Sequence, residues 1–415
     1  MLPPPHTRFG HALLPYFPQR DYLSVNNGSW GPAPLYITDA QLGYMQRAIA
    51  KPDIFYRLEL DDLVNKARHV AASVLGVNNV DQVVLVPNTT YAIASVINNF
   101  KWNKYDKILV TNITYEHEGK QVEYLVKELY AHLQLEVVRV DLPLPCSNAE
   151  IIKSVEQVLR TSGPVRMAIL DHVSSVPAIQ LPLKELVEAC HAHGTRVLVD
   201  GAQAYGQVKD LNLDILGADY YATNPHKWGY AAVSAAVLHV KDVHERVYPA
   251  VSSHYYKHGD KHYNMAQSFS WTGTINWSSL LTITDAFRFR QALGGEHAII
   301  DYCHNLALSG SEILMRAWNT ERIETGEEQT ACMSSVRLPL SKSEIVVLQD
   351  RGMTARQLTM ELYRRGNTWA PVYAWNNLWW MRISAQVYNE PKDFETLAHL
   401  GLKVLAGMFA HGAKL

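Results

Sequence analysis

Cysteine is scarce in this sequence: among 415 residues there are four, Cys146, Cys190, Cys303 and Cys332. No two lie close enough for a Cys-x-x-Cys metal site or a dense disulfide framework, so a reducing, cytoplasmic setting is expected. Long apolar runs are also missing. None approaches the roughly 20 residues a membrane-spanning helix needs, and no membrane association is expected. Charge imbalance is nearly absent, with 38 Lys plus Arg against 40 Asp plus Glu, so no global field draws the chain to nucleic acid or anionic lipid. The opening Met1-Leu2-Pro3-Pro4-Pro5-His6 has neither a basic n-region nor an apolar h-region, and no secretory signal is expected. Internal repeats, heptads and low-complexity tracts are lacking too. With 47% hydrophobic and 19% charged residues, what is left has the composition of a globular protein whose partners are small molecules.

The length allows two or three domains, and two of unequal size is the expectation. Residues 1–35 are rich in proline and poor in periodic apolar positions, which predicts an extended arm that belongs partly to the smaller domain. Beyond it, Val83-Val84-Leu85-Val86, Lys107-Ile108-Leu109-Val110, Met167-Ala168-Ile169-Leu170 and Arg196-Val197-Leu198-Val199 each run into Pro, Thr, Asp or Asn, as buried strands do. Segments between them, such as Gly119 to His132 and Leu183 to His193, repeat apolar residues at three and four and predict helices. Alternation of this kind predicts an α/β fold with a mostly parallel sheet flanked by helices over residues 36–290. From about Gly294 a helix to about Trp318, a strand at Met333 to Leu338, a helix near Thr354 to Arg364 and a strand at Leu378 to Ile383 predict a smaller α+β domain over 291–415.

Ligands of open parallel sheets sit beyond the carboxyl ends of the strands, so the residues there carry the functional argument. Asp200 directly follows Val197-Leu198-Val199, where its carboxylate suits a pyridinium nitrogen, because a nearby negative charge keeps such a nitrogen protonated. Lys227 comes one crossover and one strand later, in Thr223-Asn224-Pro225-His226-Lys227-Trp228. A lysine that is partly desolvated beside an aromatic cation has a lowered pKa and suits imine formation, and His226 stands next to it. Thr89 and Thr90, in Pro87-Asn88-Thr89-Thr90-Tyr91-Ala92, open a helix whose free N–H groups suit a phosphate. Tyr115-Glu116-His117-Glu118-Gly119 places aromatic side chains where one stacks on a ring. Taken singly, each has an ordinary explanation: a cap, a turn residue or a solvated charge. Their joint order at successive strand ends is what independent caps rarely produce.

With these residues in view, the sequence resembles the class V aminotransferase superfamily of fold type I pyridoxal 5'-phosphate (PLP) enzymes, within it the isopenicillin N epimerase-like group that includes C–S lyases. The resemblance runs from about Phe9 to the end. It rests on Leu23-Ser24-Val25-Asn26-Asn27-Gly28-Ser29-Trp30-Gly31, the Asn-Thr-Thr cradle, Asp171-His172-Val173-Ser174-Ser175, Asp200-Gly201-Ala202-Gln203-Ala204, His226-Lys227, Phe269-Ser270-Trp271-Thr272-Gly273-Thr274 and Met381-Arg382-Ile383-Ser384-Ala385-Gln386-Val387-Tyr388-Asn389. By position it implies a Schiff base on Lys227, Asp200 on the pyridinium, Gln203 as donor to the ring phenolate, and Thr89, Thr90 and His226 on the phosphate. Tyr221 is implied near the phosphate. Arg382 is implied as the clamp on the substrate carboxylate, with Asn27, Ser174 and Tyr255 as further substrate contacts. Thr274 is implied to reach the neighbouring subunit's phosphate, hence a homodimer.

This chain departs from the subgroup where Tyr115-Glu116-His117-Glu118-Gly119 replaces a Tyr-Gly-Ala-type turn. His117 there matches the stacking histidine of cysteine desulfurases, which leaves Tyr115 as a candidate acid. Residues Arg365 to Arg382 contain no cysteine, the nucleophile that desulfurases need in that segment, so persulfide chemistry is disfavoured. The resemblance then implies β-elimination from a cysteine conjugate or cysteine sulfoxide, giving pyruvate and ammonia. Epimerisation or a carbon-carbon or γ-position reaction of an amino acid is the alternative, and loss of catalysis in favour of a binding role a more distant one. The aromatic stretch Thr368 to Trp375 is expected either to line the substrate mouth or to pack the small domain.

Overall fold

The apolar runs do form strands in the computed structural model, which describes residues 1–4, 7–18, 21–251, 254–259 and 261–410. Residues 411–415, assigned above to the second domain, lie outside the described residues. Seven strands make one sheet: β1 (Val83–Val86), β2 (Lys107–Thr111), β3 (Glu136–Val140), β4 (Met167–Asp171), β5 (Arg196–Gly201), β6 (Tyr220–Thr223) and β7 (Ala236–Val240). Their order is β1-β7-β6-β5-β4-β2-β3. Pairings from β3 to β6 are parallel, and β7 runs antiparallel to both its neighbours. The fold is α/β with a mixed, mostly parallel sheet.

Successive residues of a strand point to opposite faces, and both faces here are covered. Val83, Leu85, Leu109, Ala168, Leu170, Val197, Val199 and Val237 join one core, which also takes residues from the helices Leu60–Val74, Leu183–Ala192 and Ser278–Ala292. Their neighbours Val84, Val86, Ile108, Val110, Met167, Ile169, Leu198 and Leu238 join another core under the helix Thr89–Asn99. Two-sided burial is why these strands read as unbroken apolar runs and not as alternating ones. At the sheet's edge, β3 exposes Glu136, Val137 and Arg139, charges that discourage pairing with another chain.

The second sheet has three antiparallel strands, β8 (Met333–Arg337), β9 (Val372–Trp375) and β10 (Leu378–Ser384), with β10 in the centre. Helix Gly295–Trp318 packs on it, and helix Pro391–Ala410 packs against that helix. The β9–β10 hairpin turns through Asn376 and Asn377, at φ 50° and 59°; asparagine tolerates this left-handed region, which a tight two-residue hairpin demands. The stretch expected to line a mouth or pack the small domain thus supplies the edge strand β9. Trp375 Nε1 and Asn376 Nδ2 both donate to the carbonyl of Leu144, at 3.3 and 3.0 Å, and so fasten the hairpin to the larger sheet's loops. The N-terminal arm lies along β10: Ser384 N donates to Val25 O at 2.8 Å and Gly28 N to Ser384 Oγ at 3.2 Å. The arm therefore bridges the small sheet and the ends of the parallel strands.

Candidate active site

Lys227 sits in the turn after β6, where its N–H donates to Asn224 O at 3.1 Å. The arm crosses its backbone: Asn27 Nδ2 donates to Lys227 O at 3.3 Å, and a Cβ at Gly31 would collide with that same carbonyl. Only glycine allows that approach. Burial pushes the Lys227 amine down to about 8; Asp200 and Glu118 oppose that shift, and Arg382 adds to it. An amine so placed loses its proton easily enough to act as a nucleophile.

Asp200, buried at the end of β5, accepts from Ala202 N at 2.7 Å. Opposite it in register stands Asp171 at the end of β4. Gln203 is fully enclosed: its Nε2 donates to Gly28 O at 2.6 Å and its Oε1 accepts from Trp228 Nε1 at 2.9 Å. One amide hydrogen stays available for a further acceptor. Tyr221, also fully buried, bonds through its hydroxyl to His172 Nδ1 at 2.7 Å.

The helix Thr89–Asn99 begins beside the lysine turn, with Thr89 N donating to Asn224 Oδ1 at 3.0 Å. Asn88 caps it by accepting from Tyr91 N at 2.8 Å. Thr89 Oγ1 is buried without a hydrogen-bond partner among the described residues, a cost that an incoming acceptor at this positive helix end removes. Thr90 is half-buried beside it. His226 bonds through Nδ1 to Ala235 O at 2.7 Å. A carbonyl only accepts, so the hydrogen is on Nδ1, and burial lowers the ring's pKa to about 4. Nε2 then offers a lone pair until an anion beside it favours protonation.

Arg382, on β10, is 2% exposed. Its Nη1 donates to Ser175 O and Oγ at 2.9 and 3.1 Å, and its Nη2 to Asn26 Oδ1 and Ser29 Oγ, both at 2.6 Å. All four acceptors are neutral, Nε has no partner among the described residues, and burial pulls the guanidinium down to about 10. A buried cation held by neutral dipoles alone is built to receive an anion. Sequence reasoning singled out Ser174 and Asn27, but the residues on Arg382 are Ser175, Asn26 and Ser29. Ser174 Oγ bonds instead to Pro177 O, inside its own turn.

Tyr115 precedes the helix Glu116–Tyr124. Burial raises its hydroxyl's pKa, and the carboxyls of Glu118, Asp200 and Glu116 add to this while Arg382 opposes it. It therefore lies within the field of both ends of the site. His117 is exposed, its ring 5.1 Å from that of Tyr115 at 71°. The buried residue of this turn is Glu118, 1% exposed, which sequence reasoning passed over. Acidic residues in a first helical turn ordinarily complement the helix dipole, so nothing in the spacing marks it. Two other expected contacts sit in different surroundings. Thr274 is exposed in a turn, and Tyr255 lines a separate cleft with Asn65, Arg68, Asn264 and Gln267.

Residues 54–397 match the family model described as aminotransferase class-V. The chain belongs to the class V aminotransferase family. Among its relatives is an L-cysteine desulfhydrase of Arabidopsis thaliana, 30% identical, the match covering 91% of this chain and 87% of that protein. Another is the hercynylcysteine sulfoxide lyase of Schizosaccharomyces pombe, 26% identical over 94% of this chain and 96% of that one. The fold is shared with the cystine C–S lyase C-DES, solved with its reaction product cysteine persulfide, at a TM-score of 0.74 and 20% identity over 93% of this chain and 97% of the other.

PLP is the cofactor of this class V enzyme, and the residues fit it. An unpartnered hydroxyl waits at a helix N-terminus, a spare amide hydrogen remains on Gln203, and a lysine of lowered pKa stands in the field of the Asp200 carboxylate.

Proposed function

We propose that this enzyme is a PLP-dependent C–S lyase that eliminates the β-substituent of a cysteine conjugate or cysteine sulfoxide, with pyruvate and ammonia as further products. The observation that carries the reading is Arg382: a buried cation with neutral partners, whose charge reaches the Lys227 amine. That pairing suits a substrate with a carboxylate and an amine on one carbon. When bound, PLP supplies an electron sink that lets the Cα–H bond break at accessible cost.

Each side chain then has a task. Arg382 binds the substrate carboxylate through Nε and the Nη groups, whose hydroxyl and amide partners give way to a charged acceptor. Lys227 holds the cofactor and, once released by the incoming amine, takes the Cα proton at Nζ. Asp200 holds positive charge on the ring nitrogen, Gln203 donates its spare hydrogen to the phenolate oxygen, and Thr89, Thr90 and His226 hold the phosphate. Tyr115, which feels the charges of both Asp200 and Arg382, is the candidate acid toward the leaving sulfur, and His117 would be the stacking partner of the ring. The Cβ–S bond breaks with its electron pair leaving on sulfur, a Cα=Cβ bond forms, and water hydrolyses the released aminoacrylate to pyruvate and ammonia.

A cysteine nucleophile has no place in this scheme. All four cysteines are free and buried, which suits a reducing compartment such as the cytoplasm. Burial holds the Cys332 thiol well above its ordinary pKa, so it offers no thiolate. No helix among the described residues is long and apolar enough to cross a membrane. In a homodimer, the exposed Thr274 and the cleft-lining Tyr255 serve the neighbouring site. The exposed apolar side chains of Leu42, Ile49, Ile54 and Leu58, on adjoining helical segments, offer a surface for it.

The deciding experiment supplies the PLP-loaded protein with S-substituted cysteines and their sulfoxides and measures pyruvate. Release of pyruvate together with the free thiol or sulfenic acid is expected. Deuterium uptake at Cα without pyruvate would make it an epimerase instead.

A further inference from the structure

Glu118 has no task in the reading above, and its position calls for one. It projects from the first turn of the helix after β2, while Asp171 and Asp200 end β4 and β5, and carboxyl oxygens of all three lie within 4.8 Å of one another. All are buried, at 1%, 2% and 5% exposure. Glu118 Oε2 and Asp171 Oδ2 have no hydrogen-bond partner among the described residues. Three carboxylates that close and that dry do not all ionise. Since no N–H or O–H of another described residue reaches Glu118 Oε2, the hydrogen that satisfies it must be carried by the carboxyls themselves. A metal ion is a poor alternative, because the charges of Lys227 and Arg382 bear on the same site.

The geometry points to Glu118 as a neutral carboxylic acid that donates its hydrogen to Asp200, a positioning residue that keeps Asp200 ionised and aimed at the cofactor's ring nitrogen. This rests on the reading of Asp200 as the ring-nitrogen partner. The electrostatics agree: burial first, then the charge of Asp200, drives the Glu118 carboxyl well above the usual range. The hydrogen-bond pattern explains why the acid matters. Asp200 Oδ1 already accepts from Ala202 N, and a second donor from Glu118 spreads its charge. Without that donor, the proton shared by the cluster falls to Asp171 and Asp200, and an Asp200 that carries it no longer pairs with a ring cation.

Two measurements test this, and the first needs no cofactor. In the infrared difference spectrum between cofactor-free wild type and Glu118→Gln at neutral pH, the wild type should show a deuterium-sensitive carbonyl stretch of a protonated carboxyl that the variant lacks. Glu324, itself buried and raised to about 7, is common to both and cancels. The second is the affinity for PLP by absorbance titration. Glu118→Gln keeps a donor and should bind within about twofold of wild type, whereas Glu118→Leu should bind roughly tenfold or more weakly, the effect of a lost hydrogen bond to a charged group.

A band that survives in Glu118→Gln but is lost in Asp171→Asn would place the proton on Asp171 and overturn the proposal, as would wild-type affinity in Glu118→Leu. Should the leucine variant not fold, the infrared comparison with glutamine still decides. If Asp200→Asn binds PLP as wild type does, the reading of Asp200 fails, while the infrared result continues to report where the proton sits.

Discussion

The two ends of the site are built on opposite electrostatic plans. At the strand ends of the large sheet, Lys227 lies in the fields of Asp200 and Glu118, charges of both signs enclosed together. On β10 in the small sheet, Arg382 is just as deeply enclosed but touches only a carbonyl, an amide oxygen and two hydroxyls. Charges that balance internally suit a group that stays, as a cofactor does. A cation left unbalanced suits a group that comes and goes, because neutral dipoles hold the guanidinium in place and yet leave its charge for the substrate. The comparison separates a holding end from an exchanging end, and each of the following experiments bears on that separation.

The largest effect is expected from Lys227→Ala. Loss of the proton carrier should lower turnover by at least about 10²–10⁴-fold, with loss of the absorbance of covalently held PLP measured on the same sample. Next comes Arg382→Ala, which should raise KM tens- to hundreds-fold, from charged hydrogen bonds worth about 1.5–3 kcal/mol, while leaving bound PLP unchanged. Arg382→Lys should recover little of this, since one ammonium cannot reproduce the planar fork. If Arg382→Ala instead released PLP, the two ends would not be separable.

A smaller effect is expected with pH. Folding lowers the Lys227 pKa from its ordinary 10.5 to about 8, so below about 8 the amine is mostly protonated and above it mostly free. Covalent capture of PLP, followed by absorbance, should therefore quicken as pH rises through about 8 and level off above it. A rate independent of pH between 7 and 9, roughly one unit on each side, would show that burial does not bring the lysine's pKa into that range. The smallest effect is expected from Ser29→Ala. Removing one of four acceptors on Arg382 should raise KM only several-fold, in keeping with about 1 kcal/mol for a single hydrogen bond.

Much of the framework is legible in the residues. Val83–Val86 and Met167–Asp171 are buried throughout, and strands covered on both faces announce themselves as continuous apolar runs. Asp200 stands out at the end of such a strand, and Lys227 in the turn that follows another. Thr274 and Tyr255 entered through the family resemblance alone, since their exposed loops carry no periodicity that places them. The stretch before Arg382 carried aromatic residues that fit a mouth as well as a core, and only the hairpin at Asn376 and Asn377 makes it an edge strand.

What the sequence determined by itself is the alternation of strand and helix, and with it the row of polar residues where the parallel strands end. What the tertiary structure decided is which neighbour in each polar segment meets the charged groups of the site: Glu118 and not His117 beside Asp200, and Ser175 and not Ser174, with Asn26 and Ser29, upon Arg382. The physical reason is directional. Successive side chains point about 100° apart on a helix and to opposite sides of an extended chain, so adjacent residues of similar chemistry have unlike fates. Only the packing of the segment against its neighbours fixes the rotation that chooses between them.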